Sequence, residues 1–335
     1  MFQAAHLSNL LKSCLFAVVS FGFVSAANAE KINTSTAIIN KFITNTKNVE
    51  FLSGIEIASP SKEFGGFSGL SIQQNGSKLI AVSDVAKWLT LDLVRDKNGK
   101  LSSVKNASLD CLCRNNGTPY GNKRWGDSEG LVIKGDNAFV SFEGLNRVNV
   151  YDLDAQNKPS NAKQQTASFK PFKLNQGKGL EALALAPKTS ALFGNFIAIA
   201  EDSLNSVGNH RAFIANAVDI TEFAIKKTND YMVTDASFLQ NGDLLILERR
   251  FETIFDIGMR IRRFSKDTLT SSQTLKGKTI NGEILLESGL SNPIDNMEGL
   301  ATWQNTKGET ILSIISDDNF LGLQRTLLLE FKLLN

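Results

Sequence analysis

The chain has 335 residues, of which 42% are hydrophobic, and its 36 Lys and Arg residues nearly balance 34 Asp and Glu. A near-neutral balance argues against a nucleic-acid-binding protein and against a protein that docks on an anionic membrane surface.

The first 29 residues have the features of a secretory signal peptide. Lys12 precedes an apolar run over residues 15–24, and Ala27-Asn28-Ala29 provides a small-residue cleavage site. The apolar run is much shorter than the ~20 residues that cross a bilayer, which argues against a membrane anchor. We therefore predict a periplasmic or secreted protein in which residues 30–335 form one domain without a membrane span.

Five copies of a short pattern follow, each opening a hydrophobic strand that leads to a second strand with an acidic end. The copies begin at Phe67-Ser68-Gly69-Leu70, Asp127-Ser128-Glu129-Gly130-Leu131, Gly179-Leu180-Glu181-Ala182-Leu183, Thr234-Asp235-Ala236-Ser237-Phe238 and Asn296-Met297-Glu298-Gly299-Leu300. They are aligned here on Gly69, Gly130, Gly179, Ala236 and Gly299. The interval between one aligned residue and the next is long enough for one four-stranded blade of roughly 40 to 50 residues plus a loop. The pattern predicts an all-β fold, a β-propeller with five blades of four strands.

The fifth blade has only three predicted strands of its own, over residues 300–303, 310–315 and 325–331. Residues 49–57 form an unassigned strand before the first blade. We predict that this N-terminal strand completes the last blade, because such pairing closes the ring and removes its open edges. A sixth blade built from residues 36–60 and loop segments is the alternative.

After cleavage the chain keeps two cysteines, Cys111 and Cys113, with Leu112 between them. An oxidising compartment favours a disulfide, whereas a bridge over one residue is strained, so a disulfide and two free thiols both stay open. Two cysteines and His210 do not complete the usual ligand set of a structural zinc site.

The repeated strand starts, the acidic strand ends and the signal peptide together resemble the phytase-like family described as "esterase-like activity of phytase". The resemblance covers roughly residues 54–333. It implies a secreted or periplasmic propeller and, by the family's description, a hydrolase of phosphate or carboxylic esters. A fold hosts many functions, so the chemistry has to be argued from the site.

Acidic residues beside the repeated strand starts are the candidate metal ligands. The innermost strand of each blade lines the central channel, so these side chains are expected to converge: Glu129, Glu181, Asp235 and Glu298. Neighbouring carboxylates repel one another unless a cation lies among them, and oxygen ligands favour Ca²⁺. Blade one has Ser68 instead, so the predicted Ca²⁺ site is one-sided. The alternative is that the carboxylates accept hydrogen bonds from backbone amides of neighbouring blades.

A second acidic set follows the second strands of the blades. Its members are Asp84, Glu143, Glu201, Asp202, Glu248, Asp317 and Asp318. We expect this set at the opposite mouth of the channel or in the loops between blades, where acidic side chains cap turns.

Hydrolysis of a phosphate ester needs cationic groups around the phosphate as well as a metal that activates water. Five basic residues near strand ends are the candidates for substrate binding: Arg124, Lys178, Arg211, Arg249 and Arg325. For each of them the alternative is a surface or interblade ion pair of small energetic value. The near-neutral chain argues against phytate, which carries several phosphates.

Residues 126–130 match the G-x-S-x-G pattern of serine esterases, with Ser128 at its centre. That pattern works at a strand-to-helix elbow, and here no helix follows, so a catalytic pair of Ser128 and His210 is not expected. Two hypotheses remain. One is a Ca²⁺-dependent hydrolase of a small ester or phosphoester, with no catalytic residue assigned, and the other is a non-catalytic envelope propeller that binds a ligand or a protein partner.

Overall fold

A computed structural model describes residues 29–175, 177–253 and 256–334. These residues form 23 β-strands in five sheets and two one-turn helices. The predicted signal peptide lies outside the described residues, apart from Ala29. Within the described part of the chain, no helix is long and apolar enough to span a bilayer.

Three strands precede the first blade: β1 (Glu30–Lys31), β2 (Ser35–Ile39) and β3 (Val49–Ala58). The first blade contains β4 (Phe67–Gln73), β5 (Lys78–Ser83), β6 (Lys87–Arg95) and β7 (Leu101–Cys111), with β1 at its outer edge. The helix α1 (Lys123–Gly126) leads into the second blade, which contains β8 (Ser128–Lys134), β9 (Asn137–Phe142), β10 (Arg147–Asp152) and β11 (Gln164–Ser168).

The third blade contains β12 (Leu180–Leu185), β13 (Phe196–Leu204), β14 (His210–Ala215) and β15 (Ile220–Ile225). The fourth contains β16 (Met232–Phe238), β17 (Leu244–Thr253), β18 (Asp256–Phe264) and, after α2 (Ser272–Leu275) and β19 (Thr279–Ile280), β20 (Glu283–Gly289). The short β19 belongs to the third sheet, where it pairs with β15 in parallel. The fifth blade contains β21 (Asn296–Gln304), β22 (Thr310–Asp317) and β23 (Thr326–Leu333).

The ring has five blades, as predicted. The innermost strands β4, β8, β12, β16 and β21 contact one another in that order, and β21 contacts β4 to close the circle. β3 pairs with β23, for example Ile55 with Leu328, which confirms the closing strand. The alternative of a sixth blade is wrong, because β2 hydrogen-bonds to β3 and extends the fifth blade instead.

The hydrophobic core is divided into wedges between neighbouring blades. In β5, Leu79 and Ala81 pack towards the fifth blade, while Ile80 and Val82 pack towards the second. Both faces of this strand are therefore buried, which explains why the repeats read as continuous apolar runs. Full burial of such a side chain stabilises the fold by about 1.5 to 3 kcal/mol.

A disulfide joins Cys111 at the end of β7 to Cys113. Of the two alternatives left open by the sequence, the structure has the bridge. It lies at the start of the loop that connects the first blade to α1.

Candidate metal centre at the acidic end of the channel

Every innermost strand departs from regular pairing close to its first residues. In the second, third and fifth blades, the residues that the pairing skips include Glu129, Glu181 and Glu298. Such β-bulges re-aim a side chain and recur beside active sites. The local backbone thus turns three of the four predicted ligands out of the regular pleat.

A small residue follows each of these positions because the innermost strands approach closely. A Cβ on Gly69 would lie 2.3 Å from the carbonyl oxygen of Glu129, and one on Gly130 would lie 2.6 Å from the amide nitrogen of Leu183. The residue of the third blade that faces Gly130 is therefore Ala182. The sequence alignment on Gly179 was wrong by three residues, since Ala182 occupies the repeated position.

The second acidic set lies at the same end of the channel as the first, so its predicted location at the opposite mouth was wrong. The two inner strands of a blade are antiparallel, and Ser128 at the start of β8 pairs with Phe142 at the end of β9. Glu143 comes next and lies beside Glu129. In the third blade Leu180 pairs with Ala200, which brings Glu201 beside Glu181 in the same way.

The same register places five equivalent residues around the rim of the channel, one from each blade: Asp84, Glu143, Glu201, Arg249 and Asp317. The backbone confirms the equivalence in three blades, because the amides of Asp84, Glu143 and Glu201 donate to the carbonyl oxygens of Gly66, Asp127 and Gly179. The fourth blade thus has a cation where the other four have acids.

Five buried carboxylates form two triads that share Glu143. Asp127, Glu129 and Glu143 make one triad, and Glu143, Glu181 and Glu201 make the other; within each, one oxygen per residue lies within 4.8 Å of the others. This separation is short enough for a single cation to contact a whole triad.

Two basic side chains lie at the edges of this carboxylate cluster. Lys123 on α1 lies 2.8 Å from Asp84 and 3.6 Å from Asp127. Arg249 on β17 lies 2.9 Å from Glu201 and 3.0 Å from Glu298, and it also donates to Asn296.

Between these two cations, Glu129, Glu143 and Glu181 form no ion pair with any residue that the structure describes. The nearby donors are neutral ones: the amide of Gly179 donates to Glu143 at 2.6 Å, and Ser68 hydrogen-bonds to Glu129. The carboxyl groups at the centre of the cluster therefore have no counter-charge among the described residues.

The pKa values of the central groups reflect this imbalance. Burial, reinforced by repulsion from Asp127, raises the pKa of Glu143 to about 7. Burial and the neighbouring carboxylates also hold the pKa values of Glu129 and Glu181 well above their usual range. Burial raises the pKa of Glu298 to about 8, with Arg249 acting in the opposite direction. Near neutral pH these groups retain protons unless a cation replaces them.

The cluster also has unused hydrogen-bonding capacity. One carboxylate oxygen of Asp84 and one of Asp127 are buried without a hydrogen-bond partner among the described residues. Native proteins leave few buried polar atoms unsatisfied. Orphaned carboxylate oxygens next to a hard, all-oxygen donor set fit a Ca²⁺ ion.

The four predicted ligands occupy three different environments. Glu129 and Glu181 lie in the triads, whereas Glu298 lies at the edge, where it contacts Arg249. Asp235 accepts from the amides of Ala236 at 2.8 Å and Leu300 at 2.7 Å.

These amide bonds of Asp235 match the structural alternative. Its blade has the irregular residue one position earlier, at Thr234, so the Asp235 side chain points towards the neighbouring blade.

Of the five basic residues predicted to bind substrate, only Arg249 lies in the cluster. Lys178 pairs with Asp202 at 2.8 Å, next to the cluster. Arg211 pairs with Glu222 at 2.6 Å on the third blade, and Arg325 lies 3.6 Å from Asp295. Arg124 is an exposed residue of α1.

Sequence reasoning did not assign Lys123, Asp127, Glu143 or Glu201 to this site. A usable signal was present, because two strands joined by a tight hairpin turn have to be antiparallel. The end of the second strand then lies beside the start of the first.

Ser128 and His210 do not form a catalytic pair, in agreement with the expectation. The Ser128 hydroxyl donates to the carbonyl oxygen of Ser83 at 2.6 Å. The His210 ring is buried, and its Nδ1 lies 2.7 Å from the carbonyl oxygen of Glu201.

A family model described as "Phytase-like: Esterase-like activity of phytase" matches residues 62–320. A search of curated protein sequences found no match.

Three solved structures share a distant likeness with the chain. An aldose sugar dehydrogenase from Streptomyces coelicolor in its PQQ-bound form is 11% identical over 90% of this chain and 98% of that chain, with a TM-score of 0.41. A nidogen/laminin complex is 10% identical over 84% and 88%, with a TM-score of 0.40. A putative 6-phosphogluconolactonase from Bacteroides uniformis is 13% identical over 88% and 80%, with a TM-score of 0.37. At these values the likenesses carry no argument about activity.

Proposed function

The chain belongs to the phytase-like family, and we propose that the acidic end of its channel binds Ca²⁺ and hydrolyses a small phosphate or carboxylic ester. The observation that carries the proposal is the pair of buried carboxylate triads sharing Glu143, in which Glu129, Glu143 and Glu181 have no ion-pair partner among the described residues. Charged groups that bind a metal are expected to be uncompensated in its absence.

Asp127, Glu129, Glu143, Glu181 and Glu201 are the residues that would hold the ion. When bound, Ca²⁺ supplies Lewis-acid polarisation of an ester oxygen and lowers the pKa of a coordinated water. The role of the chain's own residues is to hold the carboxylates in place. Arg249 forms ion pairs with Glu201 and Glu298, and the Gly179 amide donates a hydrogen bond to Glu143.

Lys123 is the group we assign to the anionic part of the substrate. Its side chain is 61% exposed, compared with 26% for Arg249, so it is the cation at the rim that is open to an incoming ligand. A lysine contacts phosphate as a mobile point charge and does not need a fixed fork geometry.

The predicted export is part of the same proposal. Extracellular Ca²⁺ sites bind with dissociation constants on the order of 10⁻⁴ to 10⁻³ M. A carboxylate cluster with an affinity in this range would bind Ca²⁺ outside the cytoplasm.

The decisive experiment compares thermal unfolding and calorimetric Ca²⁺ binding for the mature protein in EDTA and in millimolar Ca²⁺. A ligand that binds only the native state stabilises it by about 2.7 kcal/mol at 100 times its dissociation constant. We expect a clear rise in the midpoint for the wild type and a much smaller one for Glu143→Gln. Asp202→Asn is the matched control, because Asp202 neighbours the cluster but is paired with Lys178 and Lys227.

Hydrolysis is then measured with 4-nitrophenyl phosphate and 4-nitrophenyl acetate in the same two buffers. Ca²⁺-dependent turnover that disappears in Glu143→Gln and persists in Asp202→Asn supports the hydrolase. Ca²⁺ binding without turnover of either ester favours the non-catalytic propeller, and no Ca²⁺ binding at all contradicts the metal site.

A further inference from the structure

We propose that a cavity in the second blade is a separate binding site for an oxyanion that carries a flat apolar group. The cavity has a volume of about 230 Å³ and lies between β10 and the loop that joins the first blade to the second. Arg114, Tyr120 and Trp125 line it from the loop and α1, and Arg147 and Asn149 line it from β10.

The two arginines of this cavity lack the acidic partners that other buried arginines of the protein have. Neither Arg114 nor Arg147 forms an ion pair with a carboxylate of the described residues, whereas Arg95 pairs with Glu330 at 2.7 Å. A buried charge without a counter-charge is destabilising, so the arrangement around Arg147 calls for an anion from outside the chain.

Unsatisfied donors mark the same place. Nη1 of Arg147 and Nε of Arg114 are buried and have no hydrogen-bond partner among the described residues. Arg147 is only 6% exposed. Native proteins leave few buried donors unsatisfied, so two orphaned guanidinium donors on the lining of one cavity point to a missing partner.

Neighbouring groups hold Arg147 in one orientation. Its Nη2 donates to the carbonyl oxygen of Trp125 at 2.5 Å, and its guanidinium lies 4.2 Å from the centre of the Phe142 ring. Nη2 therefore has a backbone partner, whereas Nη1 has none among the described residues. The site is therefore preorganised, which lowers the entropic cost of binding.

Aromatic rings supply the walls for a flat group. The guanidinium of Arg114 lies 5.4 Å from the ring centres of both Tyr120 and Trp125, and that of Arg147 lies 5.4 Å from Tyr120. Asn149 donates to the Tyr120 hydroxyl at 2.9 Å and fixes that ring.

The remaining cation at the rim, Lys163, already pairs with Asp152 at 2.5 Å, so the two arginines define the charge of the cavity. Guanidinium groups recognise phosphate and carboxylate oxygens, and aromatic faces stack on planar ligands. The recognised chemistry is thus a phosphate or carboxylate on a planar, largely apolar group.

The cavity is distinct from the acidic end of the channel, and the proposal does not depend on ester hydrolysis. The helix α1 separates the two sites: Lys123 contacts the carboxylates, and Trp125 faces the cavity. The acidic end of the channel attracts cations, whereas the cavity attracts anions. Ligand binding at each site can therefore be measured independently of the other.

Calorimetric titration in EDTA, which keeps the acidic end free of metal, tests the proposal with inorganic phosphate, phenyl phosphate and benzoate. We expect phenyl phosphate or benzoate to bind, and Arg114→Gln to weaken that binding by about tenfold or more. Arg114 is half-buried, so this variant is expected to fold even if a change at the buried Arg147 does not. Arg124→Gln is the matched control, because Arg124 is exposed and does not line the cavity.

Equal affinity of the wild type and Arg114→Gln would overturn the site, as would the absence of binding for all three probes. Inorganic phosphate that binds as tightly as phenyl phosphate would overturn the role of the aromatic walls. A preference for phenyl phosphate or for benzoate supports the proposal and identifies the oxyanion.

Discussion

Glu143 in the second blade and Glu248 in the fourth are both buried carboxylates, but their surroundings are opposite. Glu248 lies between two arginines: Arg260 donates to it at 2.5 Å, and Arg262 donates at 2.5 and 2.9 Å. Glu143 instead has one backbone donor and four acidic neighbours.

The two arginines around Glu248 also have hydrogen-bond partners on the backbone. Arg260 donates to the carbonyl oxygen of Thr228 at 3.0 Å and stacks on Tyr231, and Arg262 donates to the carbonyl oxygen of Lys226 at 3.0 Å. The comparison teaches that burial of charge does not by itself mark a functional site. A buried charged group that has a counter-charge, such as Glu248, is structural. One that lacks a counter-charge, such as Glu143, is arranged for a partner that the chain does not supply.

The largest effect is expected for Glu248→Gln, which removes the charge between two buried guanidiniums. Breaking a buried ion pair on one side destabilises by about 3 to 5 kcal/mol, and chemical denaturation in EDTA and in Ca²⁺ measures it. Glu63→Gln, which breaks the more exposed pair with Lys87, is the control and is expected to lose about 0 to 1 kcal/mol. If Glu248→Gln lowers the free energy of unfolding no more than the control does, Glu248 is not structural.

Asp235→Asn tests whether the innermost acid of the fourth blade belongs with Glu248 rather than with Glu143. The amide cannot accept both backbone N–H bonds, and an unsatisfied buried donor costs about 1 to 3 kcal/mol. We expect the midpoint to fall while the Ca²⁺-induced rise is kept. Loss of that rise would place Asp235 in the metal site after all.

The pH dependence of the metal-free protein separates the two regions directly. The pKa values of Glu143 and Glu298 rise on folding from an ordinary 4.5 to about 7 and about 8, so the native state holds more protons than the unfolded state in between. Stability in EDTA should therefore fall as pH rises from about 4.5 to about 8, by up to about 1.4 kcal/mol per pH unit for each proton. Denaturation at a series of pH values measures the slope, and a flat profile would contradict the shifted pKa values.

Glu143→Gln should act in the direction opposite to Glu248→Gln. Removing one charge from the crowded triads relieves repulsion, so at pH 8 in EDTA we expect a gain of about 1 kcal/mol. The same variant should show a flatter pH profile than the wild type. Destabilisation in EDTA would mean that Glu143 is held by the fold in the way that Glu248 is.

The smallest effect is expected for Arg325→Gln. Its side chain is 41% exposed and lies 3.6 Å from Asp295 and 3.7 Å from Glu56, distances at which a surface pair contributes little. A change within about 0.5 kcal/mol by denaturation is the expected result. A change of several kcal/mol would show that exposed pairs also matter for this ring.

The repeat of small residues and acidic ends was enough to predict five blades, and the missing strand in the last blade was enough to predict closure by residues 49–57. The difference between Glu181 and Asp235 was not readable, because the irregular residue shifts by one position without a change in the local pattern. The cavity around Arg114 and Arg147 was equally hidden, since a loop between blades brings the two residues together.

The closing strand has a consequence for the order of folding. β3 pairs with β23 along most of its length, so the ring is sealed by two strands from opposite ends of the chain. Contacts of such high sequence separation slow folding, because the loop entropy is lost before the contacts form. The first four blades can form their hairpins early, whereas sealing has to wait for the last strand. If the chain is exported in an extended form, as the proposed localisation implies, this final step takes place at its destination.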